Sequence, residues 1–573
     1  MDIIKNKMRL FFVSSLLLLL GMVSQAQTMG AVYRVEFANK NNTPYSISNP
    51  NEFLTQRALE RREKMNIAID ERDIPIVQAY IDSLTNIGAS VLNRSRWFNS
   101  ATVLLSDTSL VATIRSFSFV SNVIKTKPYL QQRKIRPFNK GTQSVGGNEF
   151  YHSAENLKMH HELNRLQHDY GMGKNQANMI GVEYLHGLGF QGQGMVIAIL
   201  DAGFYHVNTL SMFDSLRLQN RLLGYKDFVL PGNNLFEEST HGMSVASTIV
   251  GNMPGKLVGT APKASVWLLR CEDANSEYIF EEDNWVAAAE FADSVGADVI
   301  NSSLGYTRFD DPSQNHSYSD MDGNTTRITR GADIAASKGI LVVNSAGNSG
   351  NENWHYIGAP ADADSILTIG AVDKNGKIAY FSSFGPSYDG RVKPTICAQG
   401  KDAIVSSISD GVYPSNGTSF SSPIMAGAAT CLWQANKNKS NMEIIDALIK
   451  SGSQYSNPDS VYGYGIPNMA VANMILNGIF LDMNFSKNKI FANPNPFEED
   501  IDVVIYLSDN VNANADLSLV DNNGKVVWSN KNLSLKIGYN YLLVSGLGKI
   551  KSGIYFLRIN SNSWSESVKL LKN

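Results

Sequence analysis

At 573 residues, with 43% hydrophobic and 18% charged side chains, the chain is too long for one ordinary domain. A usual size of roughly 100 to 200 residues per domain makes it three or four modules with sizeable cores. A formal charge of −3 and a pI near 6.3 argue against a nucleic-acid or anionic-membrane partner, which calls for a basic surface. Three cysteines, Cys271, Cys397 and Cys431, are too few and too scattered for a disulfide framework, and no C-x-x-C spacing offers a zinc or redox site.

The chain opens as an export signal. Lys5, Lys7 and Arg9 precede an apolar run over 10–23, and Ser24-Gln25-Ala26 sets small residues where a signal peptidase reads. Residues 1–26 are therefore expected to be a signal peptide cleaved after Ala26. That run is short for a membrane span and no later stretch is long and apolar enough. The mature protein is expected without a transmembrane span, secreted or attached to the outer-membrane surface.

Residues 27–127 read as a small α+β module. Strand signals at 33–37, near 91, at 101–105 and at 119–125 alternate with helical stretches at 52–64, 76–84 and 110–116. Residues 128–169 are rich in Gln, Asn, Lys and His with a Gly146-Gly147 pair, as suits an exposed linker open to processing. Over 170–477 the pattern becomes alternating strands and helices. Short apolar runs at 195–200, 266–269, 297–301, 340–344 and 366–370 suit parallel strands covered on both faces, with helices at 282–294 and 326–338 between them. Ser440 and Glu443 form a capping-box pattern before a further helix. Residues 487–573 are strand-like, with runs at 502–507, 517–520, 525–528 and 554–559 and an Asn523-Gly524 hairpin turn, which predicts a small β-sandwich. The fold class is thus α/β: a three-layer domain with a mostly parallel sheet, preceded by an α+β module and followed by a β-sandwich.

Four stretches of the α/β segment carry chemistry. The run Asn416-Gly417-Thr418-Ser419-Phe420-Ser421-Ser422-Pro423 hands Ser419 to the start of a buried helix. Free helical N–H groups there favour an oxyanion, and Pro423 is expected in the first turn, where a missing N–H costs no bond. The strand at 195–200 delivers Asp201 to the C-terminal edge of the sheet, where α/β domains bind ligands. His241-Gly242 opens another apolar helix, and the strand at 340–344 runs into Ser345-Ala346-Gly347-Asn348, a tight turn that can present an amide. Order decides the class: acid, then His, then Ser, without a G-x-S-x-G elbow, is the order of subtilisin and not of the α/β-hydrolases.

On these motifs the segment 170–477 resembles the subtilisin-like serine proteases. The resemblance implies a serine endopeptidase in which Asp201, His241 and Ser419 are catalytic and Asn348 serves the oxyanion. It also implies that Ser303, Leu304 and Gly305 bind substrate together with Ala346 and Gly347. No cofactor is expected for catalysis. Relatives often bind calcium for stability, but Asp320-Met321-Asp322-Gly323-Asn324 lacks EF-hand spacing, so structural calcium is left unassigned. Ser244 and Ser247 stand where the family usually carries a second histidine and a glycine. Gly187-Leu188-Gly189-Phe190-Gln191-Gly192 matches a dinucleotide fingerprint but precedes its strand, and is read as a surface turn.

The flanking modules take meaning from the same resemblance. Residues 27–127 are similar to the inhibitory propeptides of these enzymes, which makes the chain a zymogen with its own propeptide as inhibitory partner. The C-terminal module resembles the sorting domain of type IX secretion substrates of Bacteroidetes. That likeness rests on Asn493-Pro494-Asn495-Pro496-Phe497, Leu517 to Asp521, Ser552-Gly553-Ile554-Tyr555 and the terminal Lys569-Leu570-Leu571-Lys572. It implies the secretion machinery as a second partner, beside protein or peptide substrates. The alternative is a catalytically silent surface protein that binds peptides on a protease fold; a lipase or esterase is disfavoured by motif order.

Overall fold

The computed structural model describes residues 30–128, 168–479, 487–508, 513–536 and 538–573. The signal-peptide expectation and nearly all of the linker fall outside these residues.

Seven parallel strands form the centre of the catalytic unit. Their order across the sheet is Ile396–Gln399, Leu367–Val372, Leu341–Ser345, Val299–Ser302, Val196–Asp201, Ser265–Arg270 and Leu222–Asp227. Successive side chains alternate between two cores. Ile197 and Ile199 pack with Ile424, Met425 and Leu432 of the helix Thr418–Ala435, whereas Val196, Ala198 and Leu200 pack with Trp285, Val286 and Ile328 under the helices Phe280–Ser294 and Arg327–Ser337. Burial on both faces explains why the central runs are mostly apolar. The two edge strands Leu222–Asp227 and Ile396–Gln399 escape a sequence reading. The first alternates half-buried and exposed positions around Gly224, and the second is four residues long. The Ser440 and Glu443 capping box is formed and starts the helix Asn441–Lys450.

The N-terminal module is a four-stranded antiparallel sheet in the order Ser90–Ser95, Ser100–Leu105, Ala31–Phe37, Val120–Pro128. It sits on the helices Phe280–Ser294 and Arg327–Ser337 through buried charge. Arg62 and Arg96 reach Asp293 Oδ2 at 2.7 and 2.8 Å, Arg61 reaches its Oδ1 at 2.5 Å, and Arg34 reaches Asp283 at 3.1 Å. Ser95 Oγ and the Arg96 N–H donate to Glu290 at 2.5 and 2.8 Å.

The C-terminal module has two antiparallel sheets. Lys489–Asn493, Ile501–Leu507 and Gly538–Val544 make one, while Val526–Leu535, Ala513–Asp521, Gly553–Ser561 and Ser565–Lys572 make the other. Their inner faces share one core, with Phe497 fully buried in it. Asn495 pins the last strand, accepting from Leu571 N at 2.9 Å and donating to Lys569 O at 3.1 Å. Val504 of this module packs on Val471 and Met474 of the helix Met469–Leu476. Among the described residues no helix is long and apolar enough to cross a membrane.

Candidate active site

Three adjacent central strands end at one edge of the sheet, and each delivers a piece of the site. Val196–Asp201 supplies Asp201, Val299–Ser302 leads into Ser303-Leu304-Gly305, and Leu341–Ser345 leads into Ala346-Gly347-Asn348. His241 and Ser419 arrive from the N-termini of the helices His241–Val250 and Thr418–Ala435, which pack on each other.

Asp201 is fully buried, and its Oδ1 accepts from His241 Nδ1 at 2.7 Å and from Ala202 N at 2.7 Å. The close approach requires Gly242, because a Cβ there would lie 2.9 Å from Asp201 Cβ and 2.2 Å from the Gly203 carbonyl oxygen. Burial disfavours the charged imidazole, but the Asp201 carboxylate beside it outweighs burial and holds the His241 pKa above its ordinary value. Behind the aspartate, Arg270 donates to Ala202 O at 3.0 Å and to Asp227 at 2.8 Å, which fixes the turn that carries Asp201. The His241 ring lies 6.1 Å from the ring of Phe420, beside Ser419.

Ser419 is nearly buried, with 9% of its surface exposed. The turn before it depends on Gly417, at φ +154 and ψ 146, a conformation that side chains oppose. Ser419 Oγ lies 3.4 Å from Ser303 O, and Ser303 Oγ donates to Ser419 O at 3.0 Å. Asn301 Nδ2 donates to Ser303 Oγ at 3.2 Å, and Ser422 Oγ donates to Asn301 Oδ1 at 3.0 Å. This chain of bonds ties the substrate-strand segment to the serine helix. Pro423 departs from its expected place: it is inside the helix, which already begins at Thr418, and not in the first turn.

Asn348 is held by its oxygen. Oδ1 accepts from Thr418 N at 2.9 Å and Thr418 Oγ1 at 3.0 Å, while Nδ2 and the Ser419 N–H both lie beside Gly417, 3.7 and 3.6 Å from where a Cβ would stand there. Gly347 N donates to Thr418 Oγ1 at 3.2 Å. Thr418, Asn301 and Ser422 were not singled out in the sequence, since short polar residues in loops carry no signal of partners far along the chain. Ser244 and Ser247 are both buried; Ser247 Oγ donates to Ser244 O at 2.6 Å and accepts from Ser406 N at 2.9 Å, which anchors the hairpin before Ser419.

Other sequence candidates lie apart. Asp322 is spent on its own loop, accepting from Asn324 N, Thr325 N and Thr325 Oγ1. Residues 188–192 form the turn between the helix Val182–Gly187 and the strand Val196–Asp201. A cavity of about 880 Å³ opens between the catalytic and C-terminal units, lined among others by Glu183, Asp459, Lys536 and Tyr539. None of Asp201, His241, Asn348 and Ser419 lines it, so it is not where this chemistry would occur.

A parallel α/β sheet with an Asp–His pair and a helix-borne serine at its C-terminal edge defines a subtilisin-like serine endopeptidase. Residues 192–465 match the Subtilase family model, so the chain carries a subtilase domain. Residues 32–140 match the Peptidase S8 propeptide domain of Bacteroidota, and residues 490–573 match the Secretion system C-terminal sorting domain, which marks the chain for secretion or surface attachment. Subtilisin NAT of Bacillus subtilis subsp. natto is 29% identical over 317 residues, covering 54% of this chain and 74% of its own. The subtilisin of Bacillus pumilus is 29% identical over 293 residues, covering 50% and 94%. Among solved structures the chain is similar to the prenylagaramide maturation protease PagA, at 23% identity and a TM-score of 0.41, over 52% of this chain and 99% of that one. Nothing in these likenesses supports a catalytically silent peptide-binding protein.

Proposed function

We propose that the matured chain hydrolyses peptide bonds through Ser419 as nucleophile, His241 as general base and then acid, and Asp201 as its orienting carboxylate. The scissile carbonyl sits over Ser419 Oγ, and His241 takes the hydroxyl proton as the tetrahedral intermediate forms. Asp201 holds the tautomer in which Nε2 is the accepting nitrogen and stabilises the imidazolium that results. The Asn348 amide and the Ser419 N–H at the helix start receive the oxyanion. His241 then returns the proton to the leaving amine, and water repeats the sequence on the acyl-enzyme. Ser303-Leu304-Gly305 and the Ala346-Gly347 turn flank the serine on two sides, where an extended peptide would pair. Hydrolysis balances without a cofactor; a stabilising calcium ion stays unassigned.

The observation that carries this reading is the 2.7 Å His241–Asp201 hydrogen bond, made at the sheet edge that also holds Ser303 against Ser419. We further read the 32–140 segment as an inhibitor in cis, because its sheet is seated on the catalytic unit through buried ion pairs.

The test is covalent labelling of the matured protein with a fluorophosphonate, followed by peptide mapping. Label on Ser419 that disappears in Ser419→Ala is expected. An unlabelled but folded, propeptide-free protein would overturn the assignment.

A further inference from the structure

The last strand of the propeptide ends with a cation placed in a built pocket. Lys127 Nζ lies 2.7 Å from Asp273 Oδ2 and 2.9 Å from Ser276 Oγ, and stands over the rings of Tyr278 at 5.8 Å and Phe280 at 5.4 Å. An anion, a hydroxyl and two aromatic faces around one ammonium are the parts of a cation-recognition site.

The catalytic unit itself shapes this pocket. Ser276 Oγ donates to Asp273 Oδ2 at 3.0 Å, and Asn275 N donates to Asp273 Oδ1 at 3.2 Å. The loop is fastened by Ile279 N to Gln314 at 2.9 Å and by Asp310 N to Glu277 O at 2.8 Å. Tyr278 and Phe280 are buried with Val32 of the propeptide. Burial pushes the Asp273 carboxyl up, but Lys127 and the local donors outweigh it and hold it below the usual range.

Position links the pocket to the reaction. The loop begins at Cys271, whose N–H donates to Asp201 O at 3.0 Å, so it leaves the sheet directly beside the aspartate of the Asp–His pair. Gln314 Nε2 holds Thr126 O at 3.2 Å, so the propeptide backbone is gripped beside the half-buried lysine. Both loops are acidic, with Glu272, Asp273 and Glu277 on one and Asp310 and Asp311 on the other, although the whole chain is nearly neutral. Such a rim attracts basic peptides.

We infer that Asp273, Ser276, Tyr278 and Phe280 form a binding subsite for a lysine or arginine side chain, filled by Lys127 in the zymogen and by a basic residue of the substrate after maturation. The substrate half of this rests on the peptidase reading above. The pocket selects peptides with a basic residue at a fixed position upstream of the cleaved bond.

The experiment profiles cleavage sites of the matured protein on a complex peptide digest, for wild type, Asp273→Asn and Ser276→Ala, while a separate aliquot of each is labelled with the fluorophosphonate to show that its serine is active. Enrichment of Lys or Arg at one upstream position is expected, with the preference over alanine falling about tenfold or more in Asp273→Asn. A profile with no upstream basic preference, or one that survives Asp273→Asn, overturns the substrate subsite. Failure to label Ser419 instead overturns the peptidase reading. In that case the pocket is judged in the full-length Ser419→Ala chain by hydrogen exchange over 120–128: faster exchange in Lys127→Ala with rescue by Lys127→Arg supports it, and unchanged exchange overturns it.

Discussion

Pro423 stands four residues after Ser419 inside the same helix, so the Ser419 carbonyl has no intrahelical donor and accepts instead from Ser303 Oγ at 3.0 Å. A proline normally costs a helix about 3 kcal/mol through the bond it removes. Here the freed carbonyl is the joint between the serine helix and the segment proposed to bind substrate. Ser303→Ala should leave that buried carbonyl unpaired and destabilise the fold by about 1–3 kcal/mol, measured by denaturant unfolding. In Pro423→Ala the helix can supply its own donor, so the same Ser303→Ala change should cost markedly less there. A cost equal in both backgrounds would show that the two residues are not coupled.

The His241–Asp201 pair sets the pH dependence. His241 must be neutral to accept the serine proton, and Asp201 raises its pKa against the effect of burial. Activity should therefore be lost as pH falls, with a midpoint in kcat/KM above the ordinary imidazole value of about 6.5, and be retained above it. Asp201→Asn should lower kcat by about 10⁴-fold, the scale known from a trypsin-class triad, and move the acid limb to lower pH. A limb that stays in place in that variant would assign it to another group.

The propeptide contact converges on one carboxylate. Asp293, with its side chain fully buried, meets Arg61, Arg62 and Arg96 of the propeptide, each with a side chain no more than 8% exposed. Removing one partner of such a cluster strands the others and costs about 3–5 kcal/mol. Asp293→Ala in the full-length Ser419→Ala chain should speed hydrogen exchange in the strands Ala31–Phe37 and Ser90–Ser95. The matured enzyme, in which the arginines have left, should lose little stability from the same change. Equal destabilisation of both forms would place the role of Asp293 within the catalytic unit.

These contacts mark where the sequence stops being legible. The five central strands could be read because both faces are covered and their runs are mostly apolar; of the edge strands, Leu222–Asp227 is largely open to solvent and Ile396–Gln399, though buried, is only four residues long. Asp201, His241, Asn348 and Ser419 each stand beside a glycine of their own, which is why four short motifs make them candidates in the sequence. Arg61 and Arg62 lie in a helix, Gln56–Lys64, that reads as solvated, yet both are buried because their partner is more than two hundred residues away. The place of Pro423 is hidden for a similar reason: the donor that replaces its missing N–H belongs to Ser303, 116 positions before Ser419. Thr418 was passed over although it touches Asn348 through two atoms.

That threonine makes the last prediction. Thr418 is fully buried, and its N–H and Oγ1 both bind Asn348 Oδ1, while Gly347 N donates to the same hydroxyl. In the proposed mechanism it thus fixes which face of the Asn348 amide is turned to the developing oxyanion. Thr418→Val keeps the shape and removes the hydroxyl, so kcat should fall by about tenfold with KM little changed. Asn348→Ala alone should cost about 10²–10³-fold, the range known for this donor in subtilisin, a relative. With Asn348 already replaced, Thr418→Val has nothing left to orient and should add almost no further loss. If the threonine change costs the same factor with and without Asn348, its effect runs through the serine turn itself and not through the amide.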